Sequence, residues 1–525
     1  MQEAARRRSG GARVAAVAAL LAASVLVSRA LGYLREIAIA YRLGATPDAD
    51  AYRAAFQIPD LLNYFLAGGA FSIAFVPFYT RVLAREGDRA AEDLVAVVLG
   101  TMTLLVTAFT LVLWVYAEPL VALQFPRFDA GQQALVARLT RIVLPAQICF
   151  VAGGVIRAVL MARDRFATQA LAPLVYNAGI IAGGLLGSGS GAEGFAWGAL
   201  GGAVVGQVLL AIADVRAAGL RLRVRVAPLD PRFLGYLAVA APLMLGLSLL
   251  TVDEWYDRWF GALLATGTVA HLAYARQLML LPVATVGQAI ATAALPTFAR
   301  LVNEERHAEL RGAVEETLRA ALGLALLGAA ALGALAEPVV AVVYERGAFG
   351  PADTQAVAGI LRIFALAVPA WVAQQIAVRA FFARGDTWRP MLIGTAVALA
   401  AIPVYLALGP RFHAQGLAAA GVIGMALNLL ATLVLARRLH GAPRFAVLGD
   451  TLWRAGTAAA VGASAALAAE APLAASAGAL ARLALGAGAF ALAAAPAVAL
   501  FGDAATRGAL RRVGARLVRV ARPAR

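Results

Sequence analysis

The sequence predicts an all-α polytopic membrane protein with about fourteen transmembrane helices, arranged as two six-helix lobes in parallel repeat plus two C-terminal helices. Hydrophobic residues make up 62% of the 525 residues and charged residues only 14%, whereas a soluble domain carries roughly 25% charged residues. Apolar runs of about 20 residues, long enough to cross a bilayer core, recur along the whole chain. The two halves of the chain also resemble each other.

The apolar runs, divided at glycines, prolines and charges, give the order of the spans. The first run follows a basic segment, 1–13, and has no clear cleavage site, so we expect a retained span rather than a signal peptide. The predicted spans are 14–40, 49–80, 94–116, 134–161, 168–187, 193–215, 232–264, 269–300, 313–335, 354–382, 390–408, 414–436, 451–469 and 477–501.

The loops between these spans alternate in arginine content. One set is arginine-rich and the other holds one arginine or none, and arginine-rich loops remain on the cytoplasmic side. We therefore expect a bacterial inner-membrane protein with both termini in the cytoplasm. The net charge of +16 is spread over these loops, which argues against a nucleic-acid partner. The arginine-rich loops contain Arg81, Arg85, Arg89, Arg163, Arg165, Arg216, Arg221, Arg223, Arg225, Arg300, Arg306, Arg311, Arg384, Arg389, Arg437, Arg438 and Arg444.

Three short segments recur in the same order about 220 residues later. An offset of six spans gives both copies the same orientation, an arrangement found in alternating-access transporters. The predicted domains are an N-terminal lobe 1–225, a second lobe 226–445, and a region 446–525 with two further spans and a basic tail. The matching segments are 77–81 with 296–300, Arg157-Ala158 with Arg379-Ala380, and 194–196 with 416–418.

Charged residues that are energetically unfavourable in a membrane are concentrated in the first two spans. A charge at the bilayer centre costs about 2.5–3.5 kcal/mol, so such side chains usually face a cavity. The first span holds Arg29, Arg35 and Glu36 around Gly32. The second span carries, at spacings of three and four that place them on one helix stripe, Asp50, Arg53, Gln57, Asp60 and Tyr64, with Asn63 beside them.

This pattern has two interpretations. Guanidinium groups bind phosphate oxygens in a fork, which predicts a cavity for a phosphate-bearing ligand. The charges alternatively form internal ion pairs, Arg29 with Glu36 and Arg53 with Asp50. One neighbouring acid cannot neutralise both Arg29 and Arg35, which favours a binding function for these two.

The second lobe opens with a similar group of charges. Asp257 in the seventh span is a candidate ligand for a coupling cation or a partner of Arg258, and Arg276 lies early in the eighth span. Cys149 is the only cysteine, which excludes an intrachain disulfide and a cysteine metal cluster. No histidine pairs with a nucleophile and no P-loop pattern occurs. We therefore expect no enzyme activity, cofactor or metal.

Residues 28–36 resemble the first-span signature of the MurJ (MviN) family. These proteins are lipid II flippases of the multidrug/oligosaccharidyl-lipid/polysaccharide exporter superfamily. The resemblance covers about residues 14–440 and continues in segments 48–52, 56–62, 69–77, 274–276, 295–296, 344–349 and 379–383.

The resemblance implies fourteen spans, a V-shaped two-lobe body, and alternating access that moves lipid II from the inner to the outer leaflet. Family arginines that contact the diphosphate–sugar headgroup correspond to Arg29 and Arg35, and family acids correspond to Glu36 and Asp50. The implied partners are the lipid-linked diphosphate glycan, membrane lipids, and a coupling cation or the membrane potential.

The chain departs from the family pattern at several positions. Asp60 stands where asparagine is frequent, Asn63 where arginine is frequent, and Gly68 where glutamate is frequent. Arg276 is shifted by one residue from the usual eighth-span arginine, which rotates it by about 100° on a helix. Two alternative functions therefore stay open: a flippase for another undecaprenyl-linked oligosaccharide, and a cation-coupled small-molecule exporter of the same superfamily.

Overall fold

The protein is helical throughout the part that the structure describes. The structure, a computed structural model, describes residues 2–66, 70–187, 191–248, 252–473 and 477–521, and these ranges contain no strand. Within them eight helical segments are long and apolar enough to cross a membrane, or nine if a pair bent by 43° counts as one span. The predicted all-α membrane class is confirmed, while the number of fourteen spans stays a prediction.

The chain divides into two compact units. The first comprises Met1–Ala270 and Arg346–Phe349, and the second comprises His271–Glu345 and Gly350–Arg525. These units follow spatial packing, whereas the predicted lobe bounds at 225 and 445 follow the sequence repeat and stay a prediction.

The first unit is built from thirteen helices in the described residues. They are α1 (Gln2–Leu43), α2 (Pro47–Ala55), α3 (Gln57–Leu66), α4 (Ala70–Glu86), α5 (Asp88–Val115), α6 (Ala117–Gln124), α7 (Ala130–Val143), α8 (Ala146–Ala162), α9 (Ala167–Leu186), α10 (Gly191–Ala203), α11 (Leu210–Ala217), α12 (Pro231–Ser248) and α13 (Val252–Gly261). A π-helical segment, Val204–Leu209, joins α10 to α11.

Helix α14 begins in the first unit and continues into the second. The remaining helices are α14 (Thr268–Pro282), α15 (Gln288–Asn303), α16 (His307–Ala334), α17 (Ala336–Tyr344), α18 (Pro351–Ala365), α19 (Val368–Phe382), α20 (Trp388–His440), α21 (Phe445–Glu470), α22 (Ala479–Phe501) and α23 (Ala504–Ala521). A π-helical segment, Val283–Gly287, joins α14 to α15. Helix α20 is interrupted at His413, where φ is 52° and ψ is −136°, between the predicted eleventh and twelfth spans.

The described residues of the second predicted span form α2, α3 and α4, and a break separates α2 from α3. Helix α2 ends at Ala55, and Phe56 separates it from α3. Pro59 has no N–H to donate to the carbonyl of Ala55 four residues earlier. The hydroxyl of the buried Thr140 on α7 donates to that carbonyl at 3.2 Å instead. The apolar run predicts a helix without interruption at this point, and a proline breaks it.

Helices α9 and α10 touch through glycine backbone. A Cβ on Gly183 would lie 2.6 Å from the Cα of Gly198, and a Cβ on Gly179 would lie 2.7 Å from the Cα of Gly202. Glycines four residues apart on both helices allow this approach, as is usual where membrane helices pack without a hydrophobic driving force. Helix α9 also packs along α1, which brings these glycines next to the charged first span.

The basic tail of the chain forms α23, which packs on α16 in the second unit. Asp503 caps this helix, because its Oδ1 accepts the backbone N–H of Thr506 at 2.7 Å. Arg319 on α16 donates to the other carboxylate oxygen at 3.0 Å. The tail is therefore fixed to the unit by a capped helix end and an ion pair.

Candidate functional site

Two arginines of the first unit share one buried carboxylate. Glu36 follows Arg35 on α1, and Arg53 lies on α2. Arg35 Nη2 donates to Glu36 Oε1 at 2.8 Å, and Arg53 Nη2 donates to Glu36 Oε2 at 2.8 Å. The side chain of Glu36 is 6% exposed, that of Arg53 12% and that of Arg35 28%. Of these three side chains, Arg35 is therefore the most open to a ligand.

An asparagine on α9 holds the other side of Arg35. The Nη1 of Arg35 donates to Asn177 Oδ1 at 3.0 Å. The amide of Asn177 is itself oriented, because its Nδ2 donates to the carbonyl of Pro173 at 3.0 Å. We call Arg35, Glu36, Arg53 and Asn177 the arginine cluster. It carries two positive charges and one negative charge, which leaves a net charge of +1 that an anion could complement.

The carboxylate of Asp50 bonds backbone N–H groups that lie far along the chain. Asp50 is 1% exposed, and its oxygens accept the N–H of Gly267 at 2.5 Å and of Ala270 at 2.8 Å. These amides lie at the N-terminus of α14, where a negative charge is stabilised by the helix dipole and by otherwise unpaired donors. Asp50 therefore ties α2 to the start of α14.

Asp60 forms another ion pair within the first unit. Its Oδ2 accepts Arg258 Nη1 at 2.8 Å, which connects α3 to α13. Asn63 lies almost one turn further along α3 and is partly buried. The side chain of Tyr64 and the whole of Gly68 lie outside the described residues. Arg258 thus bonds Asp60, a partner that the sequence analysis does not suggest for this arginine.

Two further predicted site residues occupy separate places in the first unit. Arg29 is partly buried on α1, six residues before Arg35, and α1 is a continuous helix through Gly32. Asp257 is buried on α13.

Arg276 belongs to the second unit. It is buried there, and its guanidinium stacks on the ring of Phe364 at 5.1 Å. Direct bonds join three members of the predicted set, Arg35, Glu36 and Arg53.

A metal site does not emerge from the described part of the chain. No three histidine, cysteine, aspartate or glutamate side chains lie close enough there to hold a metal ion. The cation role of Asp257 accordingly stays a prediction.

Asn177 is the site residue that the sequence pattern did not indicate. It is an amide in the middle of the apolar run of α9, and a polar side chain within a span is unfavourable unless it has a partner. This unfavourable burial of an amide is the sequence feature that could have identified Asn177. Arg258 stands out in the sequence, but its connection to Asp60 spans 198 residues and no local spacing indicates it.

Known proteins resemble this chain over most of its length. A family model described as lipid II flippase MurJ matches residues 39–482. The probable lipid II flippase MurJ of Rhizobium meliloti (strain 1021) is 31% identical over 429 residues, which cover 79% of this chain and 80% of that relative. Lipid II flippase MurJ of Burkholderia cenocepacia is 27% identical over 415 residues, covering 77% and 80% of the two chains.

Solved structures show the same fold. A lipid II flippase MurJ in an inward closed conformation matches with a TM-score of 0.77 at 19% identity, over 91% of this chain and 98% of that one. An inward-facing multidrug transporter of the MATE family matches with a TM-score of 0.67 at 15% identity, over 79% and 94%. The family model and the Rhizobium relative together cover most of the chain, and they establish that it belongs to the MurJ family of lipid II flippases.

Proposed function

We propose that this protein moves lipid II, the undecaprenyl-diphosphate-linked peptidoglycan precursor, from the inner to the outer leaflet by alternating access. The observation that carries the proposal is the net positive arginine cluster inside a membrane protein of this family. A diphosphate presents several anionic oxygens, and guanidinium donors bind such oxygens in pairs. Within the cluster, Arg35 would contact the diphosphate, because it is the most exposed member and keeps N–H donors beyond its bonds to Glu36 and Asn177.

The other cluster members would hold Arg35 in place. Glu36 and Asn177 fix two sides of its guanidinium, and Arg53 neutralises the Glu36 charge. Outside the cluster, Arg29 on α1 would provide a further phosphate contact, and Arg276 would be a phosphate-binding residue of the second unit.

Two acids of the second span would have a positioning role. Asp50 would hold α2 through its bonds to the start of α14, and Asp60 would hold α3 through its bond to α13. Neither carboxylate would touch the anionic headgroup, since like charges repel.

Family membership and the apolar helices indicate a bacterial inner-membrane protein. Its orientation forms part of the proposal. The arginine-rich loops would lie in the cytoplasm together with both termini, which places the start of α1 at the inner leaflet.

Energy coupling also forms part of the proposal. A coupling cation would bind near the buried carboxylate of Asp257 on α13, or the membrane potential would act directly on the site. Transport by Asp257→Asn is compared with the wild type at varied sodium, proton and potential gradients. A variant with unchanged dependence on all three would remove the cation role.

Complementation tests the main proposal. The chain is expressed in a bacterium whose own lipid II flippase is depleted, and we expect growth to be restored. Arg35→Ala should abolish rescue at normal protein level, because the cluster then has no net positive charge. Arg138→Ala is the matched control, since Arg138 is an exposed arginine of the same unit, paired with Glu193, and this variant should rescue. A membrane-inserted wild-type chain that fails to restore growth would contradict the function.

A second candidate function rests on the altered second span. Asn63 and Gly68 differ from the frequent arginine and glutamate, and together these changes preserve the charge balance. They favour a related undecaprenyl-linked oligosaccharide as the alternative substrate. Rescue of a strain lacking an oligosaccharide flippase, without rescue of lipid II transport, would support this alternative.

A further inference from the structure

One arginine of the first unit is bonded by the side-chain amides of two glutamines. Arg157 lies on α8, and its Nε donates to Gln169 Oε1 on α9 at 3.2 Å. Its Nη1 donates to Gln207 Oε1 in the π-helical segment between α10 and α11. No carboxylate contacts Arg157 among the residues that the structure describes. The group therefore keeps its full positive charge.

Neighbouring arginines at the same end of the unit are neutralised. Arg163 donates to Asp88 at 2.9 Å, and Arg165 forms an ion pair with Asp214 at 2.5 Å. Both arginines follow Arg157 within eight positions. Carboxylates are therefore present at this end of the unit, but among the described residues none of them pairs with Arg157.

The backbone around Arg157 is built to keep the amides in place. Gly153 lies one turn before Arg157 on α8, and a Cβ there would lie 2.8 Å from the carbonyl carbon of Gln207. The absence of a side chain lets the π-helical segment approach α8 closely. Gln207 is 4% exposed, so its amide cannot rotate freely into solvent. π-helical turns of this kind occur frequently at functional sites.

The position of this arginine relates it to the arginine cluster. Gln169 and Asn177 lie on the same helix, eight residues apart, which corresponds to about 12 Å along α9. Ser24 of α1 donates to the carbonyl of Ala170 at 2.5 Å, so α1 passes the Gln169 level before it reaches the cluster. Arg29 lies between these two levels on α1. Arg157 on α8, bonded to α9 at the Gln169 level, is thus followed by Arg29 and then Arg35 along α1.

We propose that Arg157 is a second binding station for the substrate's diphosphate, occupied at the entrance of the first unit before the headgroup reaches Arg35. This inference rests on the proposed function and on its cytoplasmic assignment of the loop after α8. The amides of Gln169 and Gln207 hold the guanidinium without cancelling its charge, and its remaining Nη2 donors bind phosphate oxygens. A purely structural arginine would be better served by a glutamate at either glutamine position.

Two variants separate these roles. Arg157→Gln removes the charge, and Gln207→Glu keeps the size of the side chain but neutralises Arg157 with a buried ion pair. Purified full-length protein in nanodiscs is titrated with lipid II, and thermal unfolding of each variant is recorded in parallel. We expect both variants to bind lipid II at least about tenfold more weakly, since each loses a charge-assisted bond to phosphate. Arg138→Gln is the control and should bind like the wild type.

The outcomes are distinguishable from failure of the proposed function. If the wild type binds lipid II, Arg35→Ala abolishes binding, and both Arg157→Gln and Gln207→Glu bind normally, only the second station is overturned. A Gln207→Glu protein that is more heat-stable and binds normally would likewise overturn it and leave Arg157 a structural role. If a wild type that is folded binds no lipid II, the proposed function itself fails.

A phospholipid arm identifies the source of the phosphate. The same nanodiscs are prepared with phosphatidylglycerol or with phosphatidylcholine, and lipids that remain bound are measured by native mass spectrometry. We expect the retained phosphatidylglycerol to be the same for the wild type and Arg157→Gln. Loss of phosphatidylglycerol in the variant, with unchanged lipid II affinity, would show an ordinary lipid site and overturn the proposal.

Discussion

The Glu36→Gln substitution should destabilise the first unit by about 3 kcal/mol. The substitution keeps the size of the side chain but removes the charge that Arg35 and Arg53 share. A hydrogen bond to a charged group contributes about 1.5–3 kcal/mol. The bond to Arg53 joins two well-buried side chains and should count fully, whereas Arg35 is 28% exposed and regains some hydration. The sum falls at the lower end of the roughly 3–5 kcal/mol lost when a buried pair is broken.

The unfolding free energy can be measured by denaturant titration of the purified protein in mixed micelles. Glu118→Gln is the matched control, because Glu118 also bonds an arginine, Arg141, at 2.8 Å but is 67% exposed. An exposed pair of this kind contributes less than about 1 kcal/mol. Equal losses in the two variants would refute the reasoning, since burial would then make no difference to the value of the carboxylate.

Three further substitutions test the packing around the site. Asp50→Asn should lower the unfolding free energy by about 2–4 kcal/mol, because the single amide oxygen cannot replace both carboxylate oxygens as acceptors for the α14 N–H groups. Asp48→Asn, on the exposed side of α2, should change it little, and equal effects would contradict the capping role. Thr140→Val should cost about 1–3 kcal/mol by leaving a buried carbonyl unpaired, and an unchanged unfolding free energy would show that this carbonyl finds another donor. Gly183→Ala should cost about 1–3 kcal/mol through overpacking against α10, whereas Gly201→Ala, which has open space at its Cβ, should be neutral; the opposite order would disprove the close helix contact.

The sequence predicts the membrane class and the charged first two spans because both follow from local composition. Apolar runs need no knowledge of tertiary contacts, and an arginine within such a run stands out. Arg35, Glu36 and Arg53 are identifiable in this way, and the structure places them in one cluster. The partners of these residues depend on which helices pack together, and the local spacing holds no information on that.

Asp50 illustrates what local spacing leaves out. Its spacing from Arg53 suggests a pair within one helix, but both of its oxygens bond the start of α14, more than 200 residues away. The break at Phe56 has a similar origin. Pro59 removes one helix donor, and Thr140 on a distant helix supplies the replacement. Such compensation requires the folded unit and cannot be found along the chain.

The glycine contact between α9 and α10 has a mechanical consequence. Side chains at a helix interface change rotamer and let two helices slide, but the contact here joins backbone to backbone through Gly179, Gly183, Gly198 and Gly202. The two helices therefore form one rigid pair. Asn177 lies on α9 in this pair, so it holds the Nη1 end of Arg35 in a fixed position. A displacement of the guanidinium therefore requires a movement of α1.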